Sequence, residues 1–270
     1  MLEIIKSLFG SKPAAHRVSP YPVMRNIVLD IVAEGRRKNT IHMPFDADAT
    51  AILERLQEIN VGAKQKVTLT SYIAKALADT VAADTRLQAY RNRRGQLVMF
   101  DDVDLSVMIE RKVDGVRMPI PHIVRAVNKL ALASLNDNLV KAQRAPLYSD
   151  AGPLSKLEAQ FFAMPRFIRK LVWFFIRRDP HLFREVAGTV GLTSLPAYLS
   201  HRAAGTPISP MTLTLLVGAI SPQLVMINGE VREKKIIQMN LAADHDVVDG
   251  AQMMHFLIDF RARLSRGSPS

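Results

Sequence analysis

The sequence predicts an α/β protein, built as one domain with added segments. Stretches with apolar residues at helical spacing alternate with short alternating or apolar stretches typical of strands. The 270 residues are 48% hydrophobic and 23% charged, a globular composition with enough length to bury a core. No internal repeat and no Gly/Ser- or Ala/Pro-rich linker divides the chain.

Residues 1–20 are predicted to be a lead-in segment. Leu2, Ile5 and Phe9 repeat at helical spacing and indicate a short amphipathic helix, followed by a proline-containing stretch. The apolar part carries charged residues and no small-residue cleavage site, so it does not resemble a signal peptide. We expect a cytoplasmic protein, with peripheral contact to a membrane as an alternative.

The first half of the main domain, which we place at residues 21–265, alternates helices and strands. Helices are predicted over 24–35, 49–60, 68–83 and 130–143, and strands over 40–46, 97–100, 104–110 and 115–120. Asp48 or Thr50 could cap the second helix, and Thr68 or Thr70 the third. An Asp114-Gly115 turn precedes the last of these strands.

Residues 155–185 differ from the rest of the chain because they are both aromatic and basic. Six of the eleven phenylalanines and the single tryptophan, Trp173, fall here, among seven arginines and lysines. Such a segment could pack in the core with its arginines solvated. Alternatively, it could form a surface for an anionic membrane or a long acyl chain.

The last third is predicted to be strands followed by a helix. Strands are expected over 188–195, 212–220, 224–227 and 231–242, and Asn228-Gly229 is a strong hairpin signal. A helix should cover 251–264, with a tail at 266–270.

The residue counts exclude several chemistries. Without cysteine there can be no disulfide, thiolate metal site or cysteine acyl-enzyme. The histidines show no metal-binding spacing, so we predict no metal. A formal charge of +11 should attract anions, but no nucleic-acid-reading motif is visible, and we do not expect a nucleic-acid partner.

Residues 244–250, Asp-His-Asp-Val-Val-Asp-Gly, form the most informative stretch, between a predicted strand and a predicted helix. The Asp249 carboxylate could turn back and brace a tight loop around His245. An imidazole ordinarily titrates near pH ~6.5, so a neutral one can take a proton from a thiol or hydroxyl. Gly250 permits backbone geometry that other residues disfavour. The alternative is a surface loop with one satisfied histidine.

The surroundings of this stretch resemble the catalytic domain of the dihydrolipoamide acyltransferases of 2-oxoacid dehydrogenase complexes. The family pattern is Asp-His-Arg-x-x-Asp-Gly-Ala, and here Asp246 replaces the arginine. Three further motifs resemble the family in the same order, and they cover residues 67–78, 115–120 and 188–195. Met24-Arg25 and the helix that follows resemble the family's opening helix. The resemblance implies a chloramphenicol acetyltransferase-like two-layer sandwich, with a mixed sheet packed against helices.

The resemblance also implies a mechanism. His245 would be the general base that deprotonates an acceptor, which attacks the thioester of acyl-coenzyme A within one ternary complex. Thr193, or Ser194 if the register differs by one residue, would donate to the oxyanion. Asp249 would be structural and paired with Arg25. Ser194 and Gly250 would contact coenzyme A. The family forms trimers with the site between subunits, so His245 and Thr193 could come from different chains.

Several points are left open by the resemblance. No lipoyl-lysine motif is visible, so we expect no lipoyl group on this chain and a separate lipoyl-carrying protein as partner. The acceptor could be a dihydrolipoyl-type thiol, a hydroxyl or an amine. The homotrimer could build a larger cage. Residues 155–185, enlarged relative to the family, could also contact the trimer or coenzyme A phosphates. The rival hypothesis is a non-catalytic scaffold or cage protein, which the changed Ser194-Leu195-Pro196 stretch keeps open.

Overall fold

The computed structural model describes residues 15–19, 21–113, 116–147, 155–195 and 201–266. The amphipathic helix predicted within residues 1–10, the Asp114-Gly115 turn and residues 267–270 of the tail lie outside the described residues. The fold below is therefore that of the predicted main domain.

The helices form where the sequence repeats apolar residues at helical spacing. They are α1 (Asn26–Gly35), α2 (Ala49–Asn60), α3 (Leu69–Ala83), α4 (Leu132–Arg144), α5 (Lys156–Ala163), α6 (Arg166–Ile176), α7 (Pro180–Ala187) and α8 (Gly250–Arg266). Of the predicted caps, Asp48 accepts the Thr50 N–H at 2.9 Å, and Thr68 accepts the Ser71 N–H at 3.1 Å. Each cap satisfies a backbone donor that the first helical turn leaves free.

Six strands of the described chain form one mixed sheet in the order β1-β8-β7-β6-β4-β5. The strands are β1 (Thr40–Asp48), β2 (Tyr90–Arg91), β3 (Leu97–Val98), β4 (Leu105–Val113), β5 (Val116–Val124), β6 (Val190–Ser194), β7 (Leu213–Ile227) and β8 (Glu230–Asp244). β6 is parallel to both β4 and β7, and the other pairs are antiparallel. β2 and β3 form a separate short hairpin, so only the first half of the strand predicted over 97–100 is paired.

The main core lies between one face of the sheet and α2, α3, α4 and α8. Leu105, Leu192, Leu213 and Leu241, from four neighbouring strands, are each at most 1% exposed within it. Alternate strand residues point to opposite faces, so their neighbours in sequence face away from these helices. This arrangement confirms the predicted class, a mixed sheet packed against helices.

Helices α5–α7 contain the aromatic, basic segment and pack with α1 on the side of the sheet away from the main core. Arg169 of α6 is 3% exposed and donates to both carboxylate oxygens of Asp30 in α1, at 2.8 and 3.3 Å. Arg177 reaches Glu34 at 3.3 Å. Several of the basic residues are therefore packing contacts. No bilayer-crossing helix is found in the part of the chain that the structure describes.

Strand β7 corrects the prediction of two separate strands over 212–220 and 224–227. It is one strand paired with β8 along its length, with a register shift between Val217 and Ile220. Pro222, which has no N–H to donate to a strand partner, lies within β7. Pairing between β6 and β7 ends at Ser194 and Val217, so in the described sheet Pro222 lies where β7 has a partner on one side only. A proline is tolerated at such a position.

Candidate active site

The loop that carries His245 is held by backbone hydrogen bonds at the end of β8. The N–H of Asp244 donates to Thr212 O at 2.9 Å, which extends the sheet by one bond. The N–H groups of Val247 and Val248 both donate to Asp244 O, at 3.0 and 2.9 Å. The N–H of His245 donates to Asn39 O at 2.8 Å. The backbone of the histidine is therefore fixed on both sides.

The side chain that braces this loop is Asp244. It is 3% exposed, receives a hydrogen bond from Lys38 Nζ at 2.7 Å, and accepts the Asp246 N–H at 3.2 Å. Asn39 Nδ2 in turn donates to Asp246 Oδ1 at 2.9 Å. A charge-assisted bond to a nearly buried carboxylate is among the stronger polar contacts in proteins. Lys38 and Asn39 were not among the predicted site residues.

The His245 ring adopts an orientation that determines which nitrogen carries the proton. Its Nδ1 lies 3.1 Å from Val248 O. A carbonyl oxygen only accepts, so Nδ1 must be the donor. In the neutral ring Nε2 then has a free lone pair. The side chain is 49% exposed, so that lone pair is available to an incoming molecule.

Asp249, which was predicted to brace this loop, places its carboxylate near the imidazole. Its carboxylate is 80% exposed and lies 3.7 Å from His245 Nδ1, beyond hydrogen-bond distance. Its backbone N–H donates to Gln252 Oε1 at 3.1 Å. Gly250 begins α8, has no positive φ, and a Cβ there would meet nothing within 4 Å. The described chain alone gives no steric reason for a glycine at that position.

The predicted pair between Asp249 and Arg25 is not formed among the described residues of one chain. Arg25 ends a short 3-10 turn before α1. It is the other end of α1 that leads to the His245 loop, through Lys38 and Asn39. The helix has 10 residues, which at about 1.5 Å per residue separates its two ends by ~15 Å. A basic residue does reach this loop, but it is Lys38, and it binds Asp244.

Thr193 and Ser194 lie at the end of β6, away from His245. Thr193 pairs with Leu216 of β7, which pairs with Asn240 of β8, so it lies level with a residue five positions before His245. Spacings of ~3.3 Å per residue and ~4.8 Å per strand give roughly 19 Å between the Cα atoms of Thr193 and His245. Both Thr193 and Ser194 are half-buried. One chain therefore does not bring the predicted base and the predicted oxyanion donor together.

A cavity of about 210 Å³ adjoins the His245 loop. Its walls include Lys38, Tyr90, Asp244 and Val247, whereas the His245 ring is not among the described residues that line it. Burial, with the nearby charge of Asp104, raises the pKa of Tyr90 well above its usual range. The phenol therefore stays protonated and donates to Gly188 O at 2.8 Å.

No group of three or more His, Asp or Glu side chains is placed to hold a metal ion in the described ranges of the chain. The candidate site in one chain therefore consists of the His245 loop with its half-exposed imidazole, and Thr193 and Ser194 of β6 lie at a distance from it.

Comparison with known proteins supports the predicted resemblance. The family model for the catalytic domain of 2-oxoacid dehydrogenase acyltransferases matches residues 203–269, which contain β7, β8, the His245 loop and α8. Among the curated proteins, none matches the chain significantly.

Solved structures of two dihydrolipoamide acetyltransferases and of a pyruvate dehydrogenase complex core are similar over nearly the whole chain. A probable dihydrolipoamide acetyltransferase from Listeria monocytogenes 4b F2365 is 13% identical with a TM-score of 0.67, covering 96% of this chain and 99% of that one. The cubic core of a pyruvate dehydrogenase multienzyme complex is 16% identical with a TM-score of 0.64, covering 96% and 98%. The dihydrolipoamide acetyltransferase of Azotobacter vinelandii is 15% identical with a TM-score of 0.64, also covering 96% and 98%. The chain has the fold of these acyltransferase domains, as its motifs predicted.

Proposed function

We propose that this chain is a coenzyme A-dependent acyltransferase in which His245 is the general base. The observation that carries the proposal is the bond from Nδ1 to Val248 O, since in the neutral form of this half-exposed ring it leaves the Nε2 lone pair free to accept a proton. Backbone hydrogen bonds fix the loop, and the bond to Val248 O orients the ring. Less conformational entropy is therefore lost when the ring acts on a substrate. The family match includes this loop.

In the proposed reaction, Nε2 takes the proton of the acceptor, and the acceptor atom attacks the thioester carbonyl of acyl-coenzyme A. The tetrahedral oxyanion then collapses, the carbon–sulfur bond breaks, and the imidazolium returns the proton to the coenzyme A thiolate. No covalent enzyme intermediate is required. A dihydrolipoyl-type thiol on a separate protein is the acceptor we propose first, with a small hydroxyl or amine compound as the alternative.

The oxyanion donor is proposed to be Thr193 of a second copy of the chain, since roughly 19 Å separates Thr193 from His245 within one copy. The Azotobacter vinelandii work concerns a serine, a histidine and an asparagine in the catalytic mechanism, with the serine 52 residues before the histidine and the asparagine four after it. Thr193 lies 52 residues before His245, and Asp249 lies four after it. This spacing supports Thr193 over Ser194. It also supports a site role for Asp249.

We propose a homotrimer as the assembly that completes the site, since Thr193 and His245 are proposed to come from different copies of the chain. We also propose that the trimers build a cage, because one of the similar structures is a cubic core.

Peripheral contact with an anionic membrane is proposed for the outer side of α6. There Phe167, Leu171 and Phe175 are 72%, 58% and 54% exposed at a spacing of four residues. Exposed Arg166 and Lys170 flank them.

The test of the base is His245→Ala, with transfer from acetyl-coenzyme A to dihydrolipoamide followed by mass spectrometry of the acylated product. We expect turnover to fall by roughly 10²–10⁴-fold. The matched control is His255→Ala, which removes an exposed imidazole from α8 nearby. Turnover that is equal in the two variants would contradict the proposal.

Thr193 has a test that separates its hydroxyl from its packing. Thr193→Ala should lower kcat by about 10²–10³-fold with little change in KM, and Thr193→Ser should retain most of the activity. Ser194→Ala should have a small effect. If Ser194→Ala has the large effect instead, the donor is Ser194.

The second candidate function is a non-catalytic scaffold. It is favoured by the departure from the family pattern at Asp246, which takes the place of an arginine and bonds to Asn39. Calorimetry with coenzyme A separates the two functions. Micromolar binding supports the enzyme, and no binding up to millimolar concentration supports the scaffold.

A further inference from the structure

A cavity of about 800 Å³ lies between helices α5–α7, helix α1 and the sheet. It is separate from the His245 loop and is lined mainly by apolar side chains, among them Ile27, Ile31, Phe161, Phe162 and Ile176. Its mouth is marked by Leu157 and Val186, which line it and are 76% and 46% exposed. Sites for small molecules are commonly apolar clefts of about 300–1,000 Å³ with a few polar groups.

Two residues that line this cavity carry buried polar atoms that have no hydrogen-bond partner among the described residues. They are Ser106 Oγ and Trp173 Nε1, on side chains that are 0% and 5% exposed. Ser106 lies between Leu105 and Val107, which face the main core, so its hydroxyl points to the opposite side of the sheet. Nearly all buried polar groups are paired, and an unpaired one costs about 1–3 kcal/mol.

The chemistry of these two atoms restricts what could satisfy them. An indole N–H only donates, so its partner must be an acceptor, and a hydroxyl can donate to the same kind of atom. An oxygen on an otherwise apolar molecule meets both requirements.

The charges around the cavity favour a neutral oxygen over a carboxylate. Arg125 is the one arginine or lysine among the described lining residues. It is already bound to Asp104 at 2.9 Å and to Glu185 at 3.2 Å. The other lining carboxylate, Glu158, is occupied in the capping box with Ser155. A buried ligand carboxylate would find no free cation here, and burying an unpaired charge is costly.

We propose that this cavity binds a neutral molecule with an apolar chain and a carbonyl oxygen, such as a ketone or a fatty acyl group in ester form. The chain would lie among the apolar side chains of α1, α5 and α6. The carbonyl oxygen would accept hydrogen bonds from Trp173 Nε1 and Ser106 Oγ. This site does not depend on His245 or on acyl transfer.

The proposal can be tested with 2-nonanone, because Trp173 is the only tryptophan in the chain and its fluorescence reports on the cavity directly. We expect a saturable change in emission with the ketone, and weaker binding of nonanoate at pH 8. Ser106→Ala should weaken ketone binding by about two- to tenfold, the usual range for one neutral hydrogen bond. The same variant should leave the unbound protein as stable as before or more stable, since it removes an unpaired hydroxyl.

The matched control is Leu182→Ala, which changes an exposed residue of α7 that is not among the cavity lining. It should leave ketone binding unchanged. Absence of a saturable signal from folded protein, or equal effects of Ser106→Ala and Leu182→Ala, would overturn the site. Tighter binding of nonanoate than of the ketone would overturn the preference for a neutral oxygen.

Discussion

The ion pair between Arg169 and Asp30 should be the main polar contact that holds helix α6 against α1. Its two hydrogen bonds measure 2.8 and 3.3 Å, and the side chains are 3% and 8% exposed. Arg169 Nη1 also donates to Met164 O at 2.6 Å. Replacing Arg169 with methionine keeps much of the side-chain volume but removes every one of these bonds.

The expected loss follows from what Arg169→Met leaves behind. The Asp30 carboxylate would be almost fully buried without a cation, and breaking a buried pair in this way typically costs about 3–5 kcal/mol. A chain of this size changes Tm by about 2–4 °C per kcal/mol, so Tm should fall by roughly 6–20 °C. The double variant Asp30→Leu/Arg169→Met leaves no isolated charge. It should lose much less than the two single variants together.

Urea unfolding followed by far-UV circular dichroism, at one fixed protein concentration, measures these differences. Arg166→Met is the matched control, because it removes an exposed arginine from the same helix and should change the free energy of unfolding by no more than about 0.5 kcal/mol. A loss under about 1 kcal/mol for Arg169→Met would refute the reasoning. So would single-variant losses that simply add in the double variant.

Two further predictions concern buried carboxylates. Burial alone would raise the pKa of Asp104, but hydrogen bonds from Arg184, a backbone N–H and a second arginine hold this pKa below its usual value. A carboxyl group with a lowered native pKa stabilises the fold above its unfolded pKa, near ~3.9, and loses this as pH falls through the native pKa. The stability difference between wild type and Asp104→Asn, measured by urea unfolding, should therefore be constant near neutral pH and shrink below about pH 4. Asp244→Ala breaks the bond to Lys38 and should lower the free energy of unfolding by about 1.5–3 kcal/mol. A loss below about 0.5 kcal/mol would show that the loop does not depend on this bond.

Features of the fold that depend on nearby residues could be predicted from the sequence. The cap at Asp48 bonds two residues ahead and the cap at Thr68 three residues ahead, so both lie within one short stretch of chain. The hairpin at Asn228-Gly229 joins β7 and β8 as predicted, and both residues have positive φ. Helix caps and tight turns can be predicted in this way because they depend on the backbone geometry of a few consecutive residues.

The rest could not be predicted, because it depends on residues distant in sequence. Lys38 and Asp244 are 206 positions apart, and nothing in the sequence near Lys38 indicates that it binds Asp244. Arg25, the predicted partner of Asp249, lies just before the start of α1, whereas the far end of that helix approaches the loop. The continuity of β7 through Pro222 depends on where its neighbour β6 stops.

Because of the order of the strands in the sheet, the proposed catalysis depends on assembly of more than one copy of the chain. β7 lies between β6 and β8, so Thr193 and His245 are held on separate strands of a rigid sheet. Local adjustment cannot close a gap of roughly 19 Å across paired strands, since that would break the ladders on both sides of β7. If a hydroxyl of β6 and the imidazole act on the same thioester, they must therefore come from different copies of the chain, and the single copy supplies each of them to a different site.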